Sequence, residues 1–218
     1  MDRKTNELLN SIPEHADYAA DAGDLDPEDI PQERMDAVMD LLHHADNDVV
    51  RFLAAKLLTS WGVHDGLMAL EKNMERPEAV EGIYTHRLHG YDDTYRQILM
   101  AVIMYFANMA DRGEKEVARA QVYSLLSKII ALAGSKPFDI ADFLAFVKRE
   151  KYVEYIRLLE QHLVSIIDHP EVHRWKIYDA IELLMNFEPE FVVSLLKEKN
   201  KTIDDFRPAV TPVNGRQS

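Results

Sequence analysis

D-N-D-V-V-R-F-L-A-A-K-L-L, residues 46–58, is the stretch whose reading decides the fold. Its opening Asp-Asn-Asp stops one helix and caps the next, because short oxygen-bearing side chains accept hydrogen bonds from the free N–H groups of a first turn. From there Val50, Ala54, Leu57, Leu58 and Trp61 follow the i, i+4, i+7, i+8, i+11 series of a buried helical stripe. Ala54 and Ala55 are small enough to let a neighbouring helix approach closely, and Gly62 ends the segment. Arg51 lies at the helix start among several acids. It either pairs locally with Asp46, Asp48 or a carboxylate of a following layer, or reaches a partner.

Working outward, Pro31 followed by Q-E-R-M-D-A-V-M-D-L-L-H-H predicts a helix, since Pro is tolerated in a first turn and Met35, Val38, Met39, Leu41 and Leu42 form an apolar stripe. A third helix over 65–74 repeats the stripe with Leu67, Met68 and Leu70, and Pro77 follows it. The pattern then echoes. D-D-T-Y-R at 92–96 places Arg96 45 residues after Arg51, and D-H-P-E-V at 168–172 places Val172 122 residues after Val50, which is three steps of about 41. Gly113 or Glu114 opens a helix running to Ala133, and further helices are predicted over 138–149, 152–167, 170–185 and 189–199.

Residues 34–74 resemble a HEAT repeat, and in particular the short bacterial HEAT-like repeats centred on Val-Arg-x-x-Ala-Ala-x-x-Leu, here Val50, Arg51, Ala54, Ala55 and Leu58. About a fifth of the chain matches well. The later echoes depart at the Ala-Ala step, where Arg96 is followed by Leu99 and Met100, and Val172 by Lys176 and Ile177. The resemblance implies an all-α fold, an α-α superhelix of about four helix pairs plus a closing helix, right-handed, with a concave side that binds protein or nucleic acid. The expected organisation is an acidic, partly mobile segment over 1–30, a HEAT-like domain over 31–206 and a disordered tail over 207–218.

Composition agrees with a helical, folded chain. Of 218 residues 47% are hydrophobic, ample for a core, and only 8 Gly and 9 Pro interrupt long blocks of Leu, Ala, Met, Glu and Lys. Without cysteine, neither disulfides nor thiolate metal sites are available. The polar N-terminus does not read as a signal peptide, and the most apolar window, 98–110, is 13 residues long, short of the roughly 20 that a bilayer requires. A cytoplasmic protein without membrane association is the expectation.

The net charge of −13 is concentrated at one end. Residues 1–40 carry 12 acids against 3 bases, while the remaining 178 carry 26 against 22. Between Pro13 and Glu33 eight acids stand without a single Lys or Arg. They form either a solvated linker, with Glu33 and Asp36 near a helix's positive end, or an arm that contacts a basic partner.

Catalytic motifs are missing from the sequence: there is no Gly-rich phosphate loop and no nucleophile elbow. Nine histidines invite a metal search. His86 and His89 are three apart and His169 and His173 four apart, with His162 or Asp168 as a third ligand, but no dense cluster exists and a structural or solvent-facing role is expected. The deoxyhypusine hydroxylases, HEAT-like enzymes, carry repeated His-Glu pairs, and this chain has none. HEAT-like DNA glycosylases require a cationic groove, which this composition supplies only if Arg112, Lys115, Arg119 and Lys128 gather on one side. No enzyme activity, cofactor or metal is therefore expected, and nucleic acid is an unlikely ligand on charge grounds.

I-Y-T-H-R-L-H-G-Y-D-D-T-Y, residues 83–95, stands out as a candidate contact surface. Tyr84, His86, His89, Tyr91, Asp92, Asp93 and Tyr95 combine rigid amphipathic rings with carboxylates suited to an Arg or Lys. The alternative is an inter-repeat loop whose tyrosines pack on the scaffold. Met100, Met104 and Met109 read as core filler. The expected function is a non-enzymatic, protein-binding solenoid that captures a basic protein. By analogy it resembles the immunity proteins that bacteria keep beside secreted toxins; an adaptor or assembly scaffold, or a nucleic-acid-binding repair protein, are the alternatives.

Overall fold

Asn47 caps the central helix: its side chain accepts from the backbone N–H of Val49 at 2.9 Å and of Val50 at 3.3 Å, satisfying donors that have no partner inside the helix. The computed structural model describes residues 1–86 and 92–208. Among them the fold is all-helical, with no strand beyond one isolated antiparallel bridge between Thr85 and Asp92. Eleven α-helices are formed by the described residues: α1 (Arg3–Asn10), α2 (Gln32–His44), α3 (Asp48–Ser60), α4 (His64–Asn73), α5 (Thr94–Asp111), α6 (Lys115–Ala133), α7 (Ala141–Glu150), α8 (Ile156–Ile166), α9 (Pro170–His173), α10 (Trp175–Leu184) and α11 (Pro189–Glu198). None is long and apolar enough to cross a membrane. Where the sequence suggests one repeat domain over 31–206, the chain divides into two compact units, Met1–Ile129 and Ile130–Ser218.

In the first unit α3 is the hub, packed against α2, α4 and α5. Val50, Phe52, Ala54, Ala55, Leu57, Leu58, Thr59 and Ser60 are all buried, so more than one stripe of α3 is covered. Gly62, at φ 75°, terminates it in the left-handed conformation that glycine adopts without penalty. The last carbonyls of α3 are satisfied from α5: Asn108 Nδ2 donates to Ser60 O at 2.8 Å, and Arg112 donates to Trp61 O at 3.2 Å. Helix α4 seats on α3 at Gly66, where an added Cβ would lie 2.6 Å from Thr59 N and 2.7 Å from Ala55 O. The Arg51 guanidinium donates to Ala45 O and to the Asp48 carboxylate, so its bonds are local.

The acidic segment expected to be partly mobile carries secondary structure and docks on this hub. Its own carboxylates close its turns. Asp24 accepts from the N–H groups of Ala20 and Asp21, both at 3.1 Å, and Asp29 accepts from the Tyr18 hydroxyl at 2.7 Å with His15 at 2.9 Å. The Tyr18 hydrogen bond, with a smaller contribution from His15, holds the Asp29 carboxyl below its ordinary range. Trp61 Nε1 donates to Ala22 O at 2.8 Å, Arg34 Nε donates to Leu8 O at 2.9 Å, and the Arg34 guanidinium lies 5.2 Å above the Trp61 ring.

The second unit is built around aromatic residues of α7 and the turn before α8. Phe143 meets Tyr155 edge-on at 5.2 Å, and Phe146 meets Tyr152 at 5.5 Å, in the T-shaped geometry that ring quadrupoles favour. The helix read over 170–185 is broken: Arg174 adopts φ 51°, ψ −126°, separating the single turn of α9 from α10. Neither Gly nor Pro marks the spot. At the break His173 on one side is buried and Trp175 on the other is 43% exposed. His173 lies beside His162 of α8, and His162 meets no hydrogen-bond partner among the described residues at either ring nitrogen.

Two outcomes follow from this packing. Gly66→Ala brings a helix-propensity gain of about 1 kcal/mol, but the methyl meets backbone atoms that no rotamer change can move, and overpacking of this kind costs about 1–3 kcal/mol. A net loss is expected, read as a fall of a few degrees in Tm by circular dichroism; an unchanged or raised Tm refutes the close contact. Burial, then the neighbouring His173, pushes the His162 imidazole down to about 4 from the ordinary 6.5. The unfolded chain therefore binds the proton first, so stability is complete above about pH 6.5 and is lost as pH falls towards 4, by about 2 kcal/mol at pH 5. His162→Leu should flatten this acid limb in urea titrations at pH 7.5 and 5; an unchanged slope contradicts the assignment.

Candidate functional site

The base of the segment singled out in the sequence is clipped by backbone bonds. Asp93 N–H donates to Tyr84 O at 2.9 Å, and Tyr84 N–H donates to Thr94 Oγ1 at 2.9 Å. Asp92 is occupied by this clip: its two oxygens accept from Gly82 N at 3.0 Å and Thr94 N at 2.9 Å. Tyr95 is 1% exposed, and its hydroxyl donates to Pro77 O at 3.2 Å, so it belongs to the interior. His89 and Tyr91 lie outside the described residues.

Tyr84, His86 and Asp93 do come together. They line a cleft of about 360 Å³ whose other walls are Leu53, Lys56 and Leu57 of α3, Arg96 and Gln97 of α5, Leu9 and Asn10 at the end of α1, and the turn from Asp21 to Gly23. The Tyr84 ring stands 6.4 Å from that of Phe52, and Lys56 Nζ sits 5.2 Å above it. Burial, reinforced by Asp21, pushes the Tyr84 phenol up to about 12, so it is a neutral donor throughout the physiological range.

Charge in the cleft is mixed. Lys56 Nζ lies 3.9 Å from Asp21, and Arg96 lies 4.0 Å from Asp93, both beyond the roughly 2.7–2.9 Å of a charge-assisted hydrogen bond. Gln97 Nε2 donates to Asp93 Oδ2 at 2.9 Å, whereas Asp93 Oδ1 is buried and meets no donor among the described residues. An acceptor of that kind is costly to leave unmade. The cleft thus sets aromatic surface beside charges of both signs.

Lys56, Gln97 and Asp21 were not readable as site residues, and Arg96 was legible only as a repeat marker. They converge from segments up to 76 positions apart, and each sits in a local context that reads as a solvated helix face or turn. The basic residues considered for a nucleic-acid groove are engaged elsewhere. Arg112 bonds to the end of α3, Lys128 pairs with Glu71 at 3.0 Å, and Arg119 lies 3.9 Å from Glu116. Among the described residues no group of three or more His, Cys, Asp or Glu is arranged to hold a metal.

No protein-family model, curated protein or solved structure matches this chain.

Proposed function

We propose that the chain is a non-enzymatic scaffold of HEAT-like helix pairs that captures a basic protein on the face formed by its N-terminal acidic segment and the adjoining cleft. The packing of α3 against α2, α4 and α5 supports the repeat reading, because a layered array buries each helix against those before and after it. The observation that carries the binding proposal is the anchoring of the acidic segment. Glu14, Asp17, Asp26 and Glu28 are exposed on a backbone held by Trp61 and Arg34, and beside them Tyr18 is 51% exposed.

A charged surface already ordered before encounter avoids the entropy cost of ordering on binding, and its field favours a positive partner and speeds association. Both an immunity protein that neutralises a basic toxin and an adaptor in a larger assembly use such a surface. A toxin-like reading frame directly upstream of the gene favours the first role.

The test is titration calorimetry with a 12-residue Lys/Arg peptide, compared with duplex DNA at low salt. The fourfold variant E14Q/D17N/D26N/E28Q should bind the peptide at least tenfold more weakly, with a flatter salt dependence and an unchanged circular dichroism spectrum. Undiminished peptide binding by the variant, or tight DNA binding with a steep salt slope, overturns the reading.

A further inference from the structure

A second cleft, of about 400 Å³, opens on a neighbouring face of α3, between the end of α2, α4 and the turn at Pro77–Ala79. Its floor is apolar: Leu42, Phe52, Ala55 and Val80 are buried there, and Val49 stands 44% exposed at the lip. The rim is charged, but its charges are not all compensated. Arg51 is bonded to Asp48, and His43 lies 3.9 Å from Asp65. The side chains of Lys72 and Arg76, both exposed, form no ion pair or hydrogen bond with any described residue.

Arg34, Arg112 and Lys128 of the same unit are by contrast engaged with the protein. Lys72 and Arg76, four positions apart, are thus two uncompensated cations on one rim of the cleft. They border apolar surface that water solvates poorly. A duplex or single strand presents a long row of phosphates, and two cations beside an apolar floor are too few to match it. What fits is a ligand with one or two carboxylates beside an apolar side chain.

We propose that this cleft docks an acidic, apolar segment of a partner protein, with an aliphatic side chain laid over Phe52 and Val80 and carboxylates meeting Lys72 and Arg76. The two clefts share one wall: Ile83 lines this one and Tyr84 lines the other. The scaffold then offers surfaces of opposite preference on adjacent faces of a single helix.

The experiment is NMR titration of the full chain with a 12-residue peptide built from alternating Glu-Glu and Leu-Leu pairs. Amide shifts should cluster at Val49, Ala69, Lys72, Arg76 and Ala79. K72E/R76E should weaken binding at least tenfold, and V49D should weaken it separately. Peptides with Leu replaced by Ser, or Glu by Lys, should bind at least tenfold more weakly than the parent. No binding, shifts clustered elsewhere, or an affinity indifferent to K72E/R76E overturns the proposal. Hexanoate binding as tightly as the peptide overturns it in favour of a small-carboxylate pocket, and a dimer dissolved by K72E/R76E overturns it in favour of self-association.

Discussion

The contact on which the first unit depends is the approach of α4 to α3 at Gly66, where backbone nearly touches backbone. Helices usually pack with their axes 8–10 Å apart, a separation set by the side chains between them. Removing that side chain lets Leu67 and Leu70 of α4 sink against the α3 surface until both are essentially inaccessible. Ala54 and Ala55 serve the same end from the other partner. Once α4 is seated, α3 has further faces free for α2 and α5, and most of its apolar surface is enclosed by protein.

Enclosure has an electrostatic side. The carbonyls at the end of α3 are met by donors 48 to 51 residues away, from Asn108 of α5 and from Arg112 just beyond it. Trp61, at the same end, gives its indole N–H to Ala22 and its face to Arg34. A single helix terminus thus ties α5, α2 and the N-terminal turns together. The acidic segment, whose turns its own carboxylates close, is docked at this same helix end.

That dependence explains what could be read in advance. Helices α2 to α4 were legible because their signals are local: a capping Asn47, a periodic apolar stripe and a terminating Gly62 all lie within the segment they define. Helix α1 and the turns between Asp21 and Asp29 were missed although Asp2, Asp21 and Asp24 cap them locally, because their acids read as a solvated run and the contacts that dock them lie 26 and 39 residues away. The break at Arg174 escaped because neither Gly nor Pro marks it in the sequence. In the cleft, Tyr84, His86 and Asp93 were recognisable by residue type. Tyr95 looks identical in sequence but faces inward, because four-residue helical spacing from Leu99 puts it on the buried side of α5. Lys56 and Asp21 gain meaning only when the chain brings them beside Tyr84.

Ile83 and Tyr84 are consecutive, yet one lines each cleft, with the Phe52 ring 6.4 Å behind the tyrosine. Such a partition would act as a coupler if a bound guest displaced it. Any guest that displaces it on one flank alters the shape presented on the other, and thermodynamic reciprocity then requires the second guest to act on the first by the same factor. Two ligands sharing this septum would not be independent, even if they never touched.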